Sequence, residues 1–433
     1  MSEDDNQVPS ALVAVGTKAL AVRSETLIKR GLALANSLSQ LESGLGTDKL
    51  PQRPPKVSDE EARKILERMK KTNRPYEMAH VNHGVALENK GDLDGAIAEF
   101  RAALRMNPSL AEAHYNLGVA LSKKGDRDGA IGEFRTAIRS QPDHATAHYA
   151  LGFALHERTG GDLKEAIAAY RTAIHLQPDY WKAYLRLGVA FYQEGDVDGA
   201  IAEYLIAIRF DPDDALAHFL LGLALYGKGN LDGAIEEFNT AIRLKPDQAD
   251  PHHRLGVALA DKGDADGAVA EYREALRLNP NLAETHYNLS VALGNKCDWE
   301  GVIAECHEAM RLNPNLAEAH CGLGAGLAQK GDWDGAVAEY REALRLNPNL
   351  AVAHSNLGVA LARKGDWDGA MAECREAVRL NPNNDGAHYF LGLALELKGR
   401  LREALQEYRT AHELNPQNPD YRTAYERFMK KTH

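Results

Sequence analysis

Apolar residues in the middle of the chain recur at helical spacing and are interrupted at short, regular intervals. Over residues 111–121 they lie on one face of a helix, and a Lys-Gly-Asp turn that starts at Lys124 then breaks the pattern. A second apolar-periodic stretch covers 128–138, and its early aspartate favours a helix N-terminus. Pro142 ends this stretch, because proline lacks the amide donor that a helix interior needs. The sequence therefore predicts a hairpin of two helices.

The hairpin pattern is repeated along most of the chain. A Leu-Gly pair in the first helix recurs every 34 residues, with one spacing of 36. We predict ten units, at 77–110, 111–144, 145–180, 181–214, 215–248, 249–282, 283–316, 317–350, 351–384 and 385–418. A single hairpin cannot bury its own apolar faces, so neighbouring units must stack on each other.

The repeated unit resembles the tetratricopeptide repeat (TPR) family. Its pattern of Leu-Gly, Ala, aromatic, Ala and Pro occurs, for example, as Leu117-Gly118, Ala130, Phe134, Ala137 and Pro142. The resemblance implies an all-α fold, namely a right-handed α-solenoid of ten TPR helical hairpins with N-terminal helices and a C-terminal capping helix. The departures from the pattern are His83, Ser290, Val302, Cys306, Cys374 and a two-residue insertion at Thr159-Gly160.

The sequence before the array predicts two further helices. Leucines spaced by seven residues indicate an amphipathic helix over about residues 10–41, and a Pro-rich linker follows it within the N-terminal segment 1–55. A capping box at Ser58 begins a basic helix, which we assign to 56–76 and which leads into the array.

The sequence after the array predicts one more helix, at 419–433. At helical spacing Tyr421, Tyr425 and Phe428 lie on one face of it. Because the last repeat of a solenoid has no neighbour, we expect this face to cover its exposed apolar edge.

Composition narrows the class of protein. The chain has 433 residues and a formal net charge of -11, which argues against a protein that binds nucleic acid through its phosphates. No apolar run approaches the roughly 18 residues of a membrane span. Four cysteines cannot form a disulfide framework, and the acidic start lacks the basic region of a secretory signal. We therefore expect a cytoplasmic protein without nucleic-acid or membrane partners.

Histidine recurs at the fourth position of nine units. These residues are His80, His114, His148, His218, His252, His286, His320, His354 and His388. Packed helices lie roughly 8–10 Å apart, so equivalent imidazoles of successive units cannot share a metal ion, and we expect half-buried packing residues and no bound metal. If these rings are buried and neutral, acid must charge them and loosen the array.

Other patterns that could carry chemistry favour structural roles. Gly-Asp-x-Asp-Gly turns, as at 91–95 and 331–335, lack the bidentate twelfth-position glutamate of a calcium loop. The cysteines form no Cys-x-x-Cys pair, and we expect them to be small buried packing residues. The sequence contains no nucleotide-binding or hydrolase motif. We therefore predict no catalytic residue, no cofactor and no enzymatic activity.

The resemblance places a concave protein-binding groove on the fifth and sixth residues of each unit. Asparagine at the sixth position is similar to the asparagine ladder of the O-GlcNAc transferase array, because an amide can both donate to and accept from a peptide backbone. Neighbouring aromatic residues offer rigid contact area, and basic residues could bind a carboxylate. We assign to the groove Asn82, Tyr115, Asn116, Tyr149, Lys182, Arg186, Phe219, Arg254, Tyr287, Asn288, Asn356 and Tyr389. The alternative is that these are solvated positions inherited by repeat duplication.

Tryptophan occupies one turn position in three consecutive units, at Trp299, Trp333 and Trp367. Two interpretations are open: the rings pack under the turn, or they form a rim that contacts a partner. The leading function is a non-catalytic scaffold or adaptor that holds a peptide or partner protein in the groove. The alternative is a structural protein that self-associates through repeat stacking or through its N-terminal helix.

Overall fold

The computed structural model describes residues 76–158 and 162–432, which form twenty-one α-helices and no strand. Contacts divide the chain into two compact units. We call the unit that ends at Leu244 the first array and the unit that begins at Lys245 the second array, and each is described separately. Within each array the helices pair into hairpins that pack on neighbouring hairpins, so each is the all-α helical-repeat solenoid that the sequence predicts. Three predicted features lie outside the described residues: the segment 1–55, the basic helix at 56–76 except for Tyr76, and the insertion at Thr159-Gly160.

The first array contains five hairpins. Their helices are α1 (Tyr76–Asn89), α2 (Leu93–Met106), α3 (Ala111–Lys123), α4 (Arg127–Ser140), α5 (Ala145–Glu157), α6 (Leu163–Leu176), α7 (Trp181–Glu194), α8 (Val197–Phe210), α9 (Ala215–Gly227) and α10 (Leu231–Leu244).

The second array contains five further hairpins and a final single helix. The helices are α11 (Ala249–Lys262), α12 (Ala265–Leu278), α13 (Ala283–Asn295), α14 (Trp299–Leu312), α15 (Ala317–Gln329), α16 (Trp333–Leu346), α17 (Ala351–Arg363), α18 (Trp367–Leu380), α19 (Asp385–Leu397), α20 (Leu401–Leu414) and α21 (Pro419–Thr432).

The Gly-Asp-x-Asp-Gly motif builds the turn inside a hairpin. In the second hairpin Gly125 takes a left-handed backbone conformation (φ +89°), and Asp126 caps α4 by accepting a hydrogen bond from the amide of Gly129 at 2.9 Å. The capping residue is therefore Asp126, while Asp128 lies in the first turn of α4, where the sequence analysis expects an aspartate to favour the helix N-terminus. The carboxylate of Asp128 instead lies 3.4 Å from the guanidinium of Arg158 in the next hairpin. One aspartate of the motif thus starts the helix, and the other links successive hairpins.

Small residues allow the two helices of a hairpin to approach closely. A Cβ atom placed on Gly118 would lie 2.6 Å from the ring of Phe134, which is closer than real atoms come. Ala130 and Ala137 on the facing helix are fully buried. The Leu-Gly, Ala, aromatic, Ala pattern therefore reflects one close contact between the two helices of a hairpin.

Helix α21 covers the last hairpin of the second array. The ring of Tyr421 lies 4.9 Å from that of Tyr389, and the ring of Phe428 lies 5.4 Å from that of Tyr408. Tyr421 and Phe428 are both buried. The prediction of an aromatic capping helix is confirmed.

The cysteines correct one expectation from the sequence. Cys306, Cys321 and Cys374 are buried, and burial raises the pKa of each thiol to about 12. Cys297, however, is exposed, so the expectation of a buried packing residue is wrong there. It occupies the turn position that glycine holds in other hairpins, and its φ is +59°.

Candidate functional site

Part of the predicted groove in the first array is interior. Tyr149 and Phe219 are buried. Asn116 is also buried, and its amide donates to the carbonyl oxygen of Glu112, one turn earlier in α3, at 2.9 Å. The ring of Tyr115 is half-buried and lies 5.2 Å from that of His144. These four side chains stabilise the packing of the first helices, whatever else they contact.

The other predicted groove residues of the first array remain partly exposed to solvent. Asn82, Lys182 and Arg186 are half-buried. On α7 the Lys182 Nζ atom lies 5.1 Å from the centroid of the Trp181 ring, and the Arg186 guanidinium lies 4.9 Å from the centroid of the Phe153 ring. Both cations therefore stand over aromatic faces.

The guanidinium group of Arg186 is partly removed from water. Burial lowers the pKa of Arg186 to about 10, and the nearby charge of Asp214 opposes this shift. The side chain remains a cation at neutral pH. Its planar fork is suited to a carboxylate, which would offset the cost of its lost hydration.

The predicted groove residues of the second array also include both buried and half-buried side chains. Asn356 and Tyr389 are buried, and Asn356 packs against the thiol of Cys321. Arg254, Tyr287 and Asn288 are half-buried.

The predicted tryptophan rim is partly a packing feature. Trp299, Trp333 and Trp367 are half-buried and pack against the core of the second array. The guanidinium of Arg363 lies 5.7 Å from the centroid of the Trp333 ring. Each indole thus leaves only part of its surface for contact with a partner.

Comparisons with known proteins agree with this architecture. Family models described as tetratricopeptide repeat or TPR repeat match residues 84–125, 111–144, 151–215, 224–263, 256–296, 326–365 and 361–428, which together make up most of the chain. The chain belongs to the tetratricopeptide repeat family. TPR proteins are in general non-catalytic scaffolds for protein–protein interaction. No curated protein matches this TPR chain.

Several solved structures are similar to this TPR protein. The anaphase-promoting-complex hetero-tetramer Cut9–Hcn1 is 13% identical, with a TM-score of 0.50, over 86% of this chain and 93% of that chain. YrrB, described as a TPR protein with an unusual peptide-binding site, is 21% identical over 43% of this chain and 96% of its own, with a TM-score of 0.40. MamA of Desulfovibrio magneticus RS-1 is 24% identical over 40% and 96%, with a TM-score of 0.37. At these identities the likeness to Cut9–Hcn1 shows a shared fold alone.

The histidine series has partners that the sequence interpretation missed. In eight hairpins the Nδ1 atom of the fourth-position histidine lies 2.5–2.7 Å from a carboxylate oxygen of a glutamate 19 residues later, on the second helix of the same hairpin. The pairs are His80–Glu99, His114–Glu133, His218–Glu237, His252–Glu271, His286–Glu305, His320–Glu339, His354–Glu373 and His388–Glu407. The constant spacing was visible in the sequence and would have identified them.

The second ring nitrogen contacts the preceding loop. In five of these pairs the Nε2 atom lies 3.0–3.2 Å from the carbonyl oxygen of the proline that ends the previous unit. His148 keeps this contact, at 3.0 Å from the Pro142 oxygen, but the glutamate position of its hairpin is Ala169. The fourth hairpin has the reverse exception, because Tyr184 replaces histidine and donates to the Pro178 oxygen at 3.1 Å.

These partners reverse the expected effect of acid at two positions of the series. Burial alone would lower the pKa of His354, but its hydrogen bonds with Glu373 and the Pro348 carbonyl outweigh burial and raise that pKa. The pKa of His388 is raised in the same way by Glu407 and the Pro382 carbonyl. The hypothesis of buried neutral rings is therefore wrong at these two positions, since their environment favours the charged ring.

The described residues contain neither a metal-binding cluster nor a membrane-spanning helix. Among residues 76–158 and 162–432, histidine, cysteine, aspartate and glutamate nowhere gather in a group of three that could hold a metal ion. In the same ranges no helix has both the length and the apolar character that crossing a membrane requires.

Proposed function

We propose that this TPR protein is a non-catalytic adaptor that holds a peptide or a partner protein against the first helices of its hairpins, in the cytoplasm. Membership of the TPR family supports the general role. The proposed contact residues are the half-buried ones, because the interior members of the predicted groove become available only if the packing of the first helices opens.

The observation that carries the proposal is the pair of cations on α7. Lys182 and Arg186 lie one helical turn apart on α7, and each stands over an aromatic ring. The rings restrict the two side chains before any ligand arrives, which lowers the entropic cost of binding. We therefore propose a peptide that carries carboxylates as the ligand of the first array.

The second array offers a weaker attraction for acidic peptides. Arg254 is one turn from Asp250, and its charge opposes the rise in pKa that burial gives that carboxyl group. Tyr287 and Asn288 add a phenol and an amide, which suit a peptide backbone rather than a charge. An acidic ligand should thus prefer the first array.

A random peptide library panned on the immobilised full chain tests this assignment. We expect acidic peptides to be enriched, and Lys182→Gln with Arg186→Gln should weaken a selected peptide by tenfold or more, because two charge-assisted contacts are lost. Arg209→Gln is the matched control, since Arg209 is an exposed cation on the second helix of the same hairpin. Equal affinity of the double variant and the control would contradict the site.

Self-association is the alternative function. Light scattering after gel filtration over a range of concentrations separates the two, since a monomer has a mass of 47.4 kDa. A larger mass that falls when residues 1–55 are deleted would favour assembly through the N-terminal segment. Asn82→Ala, at a half-buried groove position, should leave the mass unchanged and weaken peptide capture.

A further inference from the structure

Several histidines of the second array face hydrogen-bond acceptors with both ring nitrogens. In His286, His354 and His388, Nδ1 lies 2.5–2.6 Å from a glutamate oxygen and Nε2 lies 3.0–3.2 Å from a proline carbonyl oxygen. A neutral imidazole has one N–H group, whereas an imidazolium has two, and carboxylates and carbonyls only accept. Both hydrogen bonds can therefore form only while the His–Glu pair holds one proton more than a neutral ring and a carboxylate.

Each such pair joins three segments of the chain. His354 lies on α17, Glu373 lies on α18, and Pro348 lies in the loop that follows α16 of the preceding hairpin. When the extra proton leaves, either the loop contact is lost or the lone pair of Nδ1 faces the carboxylate. The proton thus controls a link between successive hairpins as well as one within a hairpin.

We propose that the His–Glu pairs of the second array are proton-dependent staples, so that this array loosens as the pH rises from mildly acidic to mildly alkaline. All five hairpins of the second array contain the pair, at His252, His286, His320, His354 and His388. The proline contact accompanies it at His286, His354 and His388, and because each hairpin packs on the next, the effects of these staples add along the array.

Further carboxylates lie near each of these histidines. A second carboxylate acts on each of the first four histidines, from the glutamate 22 residues later, and Asp385 acts on His388. The second carboxylates are Glu274, Glu308, Glu342 and Glu376, and each pairs with an arginine three residues later, which offsets part of its charge. Burial of the imidazoles is the main opposing effect.

The direction of the effect follows from linkage. The pKa values of His354 and His388 are raised above the ordinary 6.5, so the folded array binds protons that the unfolded chain releases. Their contribution to stability is fully present below pH 6.5 and is lost as the pH rises through the folded value. In that window each of these two pairs lowers the ratio of folded to unfolded array by up to about tenfold per pH unit.

The first array supplies a natural position for a gain-of-function test. In its fourth hairpin Glu203 has no histidine, because Tyr184 occupies that position and keeps only the proline contact. Burial raises the pKa of the Glu203 carboxyl group, against the charge of Arg171. Tyr184→His should complete a staple there, and Tyr184 is half-buried, outside the buried core.

The test measures urea unfolding of the full chain from about pH 6 to about pH 9, the range over which a raised histidine pKa acts. We expect the folded fraction of the wild type to fall with pH, Tyr184→His to steepen the fall, and Glu373→Gln with Glu407→Gln to make it shallower. Tyr184→Phe is the control, because it loses the proline contact without adding a titrating group and should change stability equally at every pH.

Nitrogen-15 NMR of the histidine rings gives a second measurement that does not depend on folding changes. We expect the rings of His354 and His388 to keep two protonated nitrogens to a higher pH than a free imidazole does. Loss of the second proton no later than in a free imidazole, or a pH slope that is the same in Tyr184→His and Tyr184→Phe, would overturn the proposal.

Discussion

The hydroxyl of Ser290 and the thiol of Cys306 face each other between α13 and α14, with 3.3 Å between oxygen and sulfur. In the second hairpin the equivalent pair is Gly118 and Phe134, where any Cβ on the glycine would strike the ring. The seventh hairpin has lost its aromatic ring and has gained a side chain on the opposite helix. The two departures from the TPR pattern therefore compensate for each other.

This relationship predicts a strong coupling between the two positions. Cys306→Tyr alone should destabilise the protein by about 1–3 kcal/mol through overpacking against Ser290. Ser290→Gly alone should cost about 1 kcal/mol, because glycine is a poor helix residue and the hydrogen bond from the serine to the Tyr287 carbonyl is lost. Together the changes should recover at least about 0.5 kcal/mol relative to their sum, as measured by urea unfolding. Strict additivity would show that the positions do not compensate.

Cys297 predicts a stabilising substitution. Its φ of +59° lies in the left-handed region, where eight turn glycines of the described residues also have positive φ. Cys297→Gly should raise stability by about 1 kcal/mol, since glycine adopts this conformation without a steric penalty. Thermal unfolding measures the change, and Gly331→Ala, the equivalent turn one hairpin later, should lower the midpoint. A lower midpoint for Cys297→Gly would contradict the argument.

His144 predicts an acid-side effect in the first array. Its Nδ1 atom caps α5 by accepting from the amide of Ala147 at 3.3 Å. Burial lowers the pKa of His144, and Asp143 opposes the shift only in part. Its contribution to stability is therefore present above pH 6.5 and is lost as the pH falls through the folded value, which is the opposite of a His–Glu staple.

The substitution His144→Asn tests this prediction. Asparagine can supply the same cap without titrating, as Asn384 does for α19 by accepting from the amide of Ala387 at 2.9 Å. We expect the variant to lose less stability than the wild type between about pH 7 and about pH 5, while the two remain similar above. If acid lowers the stability of His144→Asn as much as that of the wild type, His144 is not the cause of the loss.

Much of the fold could be predicted from local sequence. The turn glycines and the prolines that end each unit mark helix ends through backbone sterics alone, which act within a few residues. The capping role of Tyr421 and Phe428 also followed, because a face of three aromatic residues beyond the last repeat has to be buried somewhere. The acidic start of α4 was also predicted, since Asp128 lies in its first turn, but the capping role of Asp126 was not identified, because both aspartates suit a helix start and only the backbone geometry separates them.

The candidate site was harder to predict, because exposure depends on contacts between hairpins. Tyr149, Phe219 and Tyr389 share a repeat position with half-buried residues such as Tyr287, and neighbouring side chains decide which of them reach the surface. The acid hypothesis failed at His354 and His388 for a related reason. It considered each ring alone, whereas a glutamate such as Glu373 lies 19 residues away and on another helix.

Two aromatic residues of α21, at the end of the second array, differ in burial. Phe428 is 2% exposed and packs on Tyr408, whereas Tyr425 is half-buried and stacks on His412 at 5.7 Å. Phe428→Ala should cost about 3–5 kcal/mol in the stability of the final hairpin, while Tyr425→Ala, the matched control, should cost less. Hydrogen exchange over α19–α21 measures this locally.

The same variant also connects stability to assembly. Loss of the Phe428 contact would uncover the apolar face that α20 presents to α21, and an uncovered repeat face can accept another copy of the chain. We therefore expect the light-scattering mass of Phe428→Ala to rise with concentration while that of Tyr425→Ala does not. If Phe428→Ala frays α21 but remains a monomer at every concentration, the end of the array is not a surface for stacking, and self-association would have to use another part of the chain.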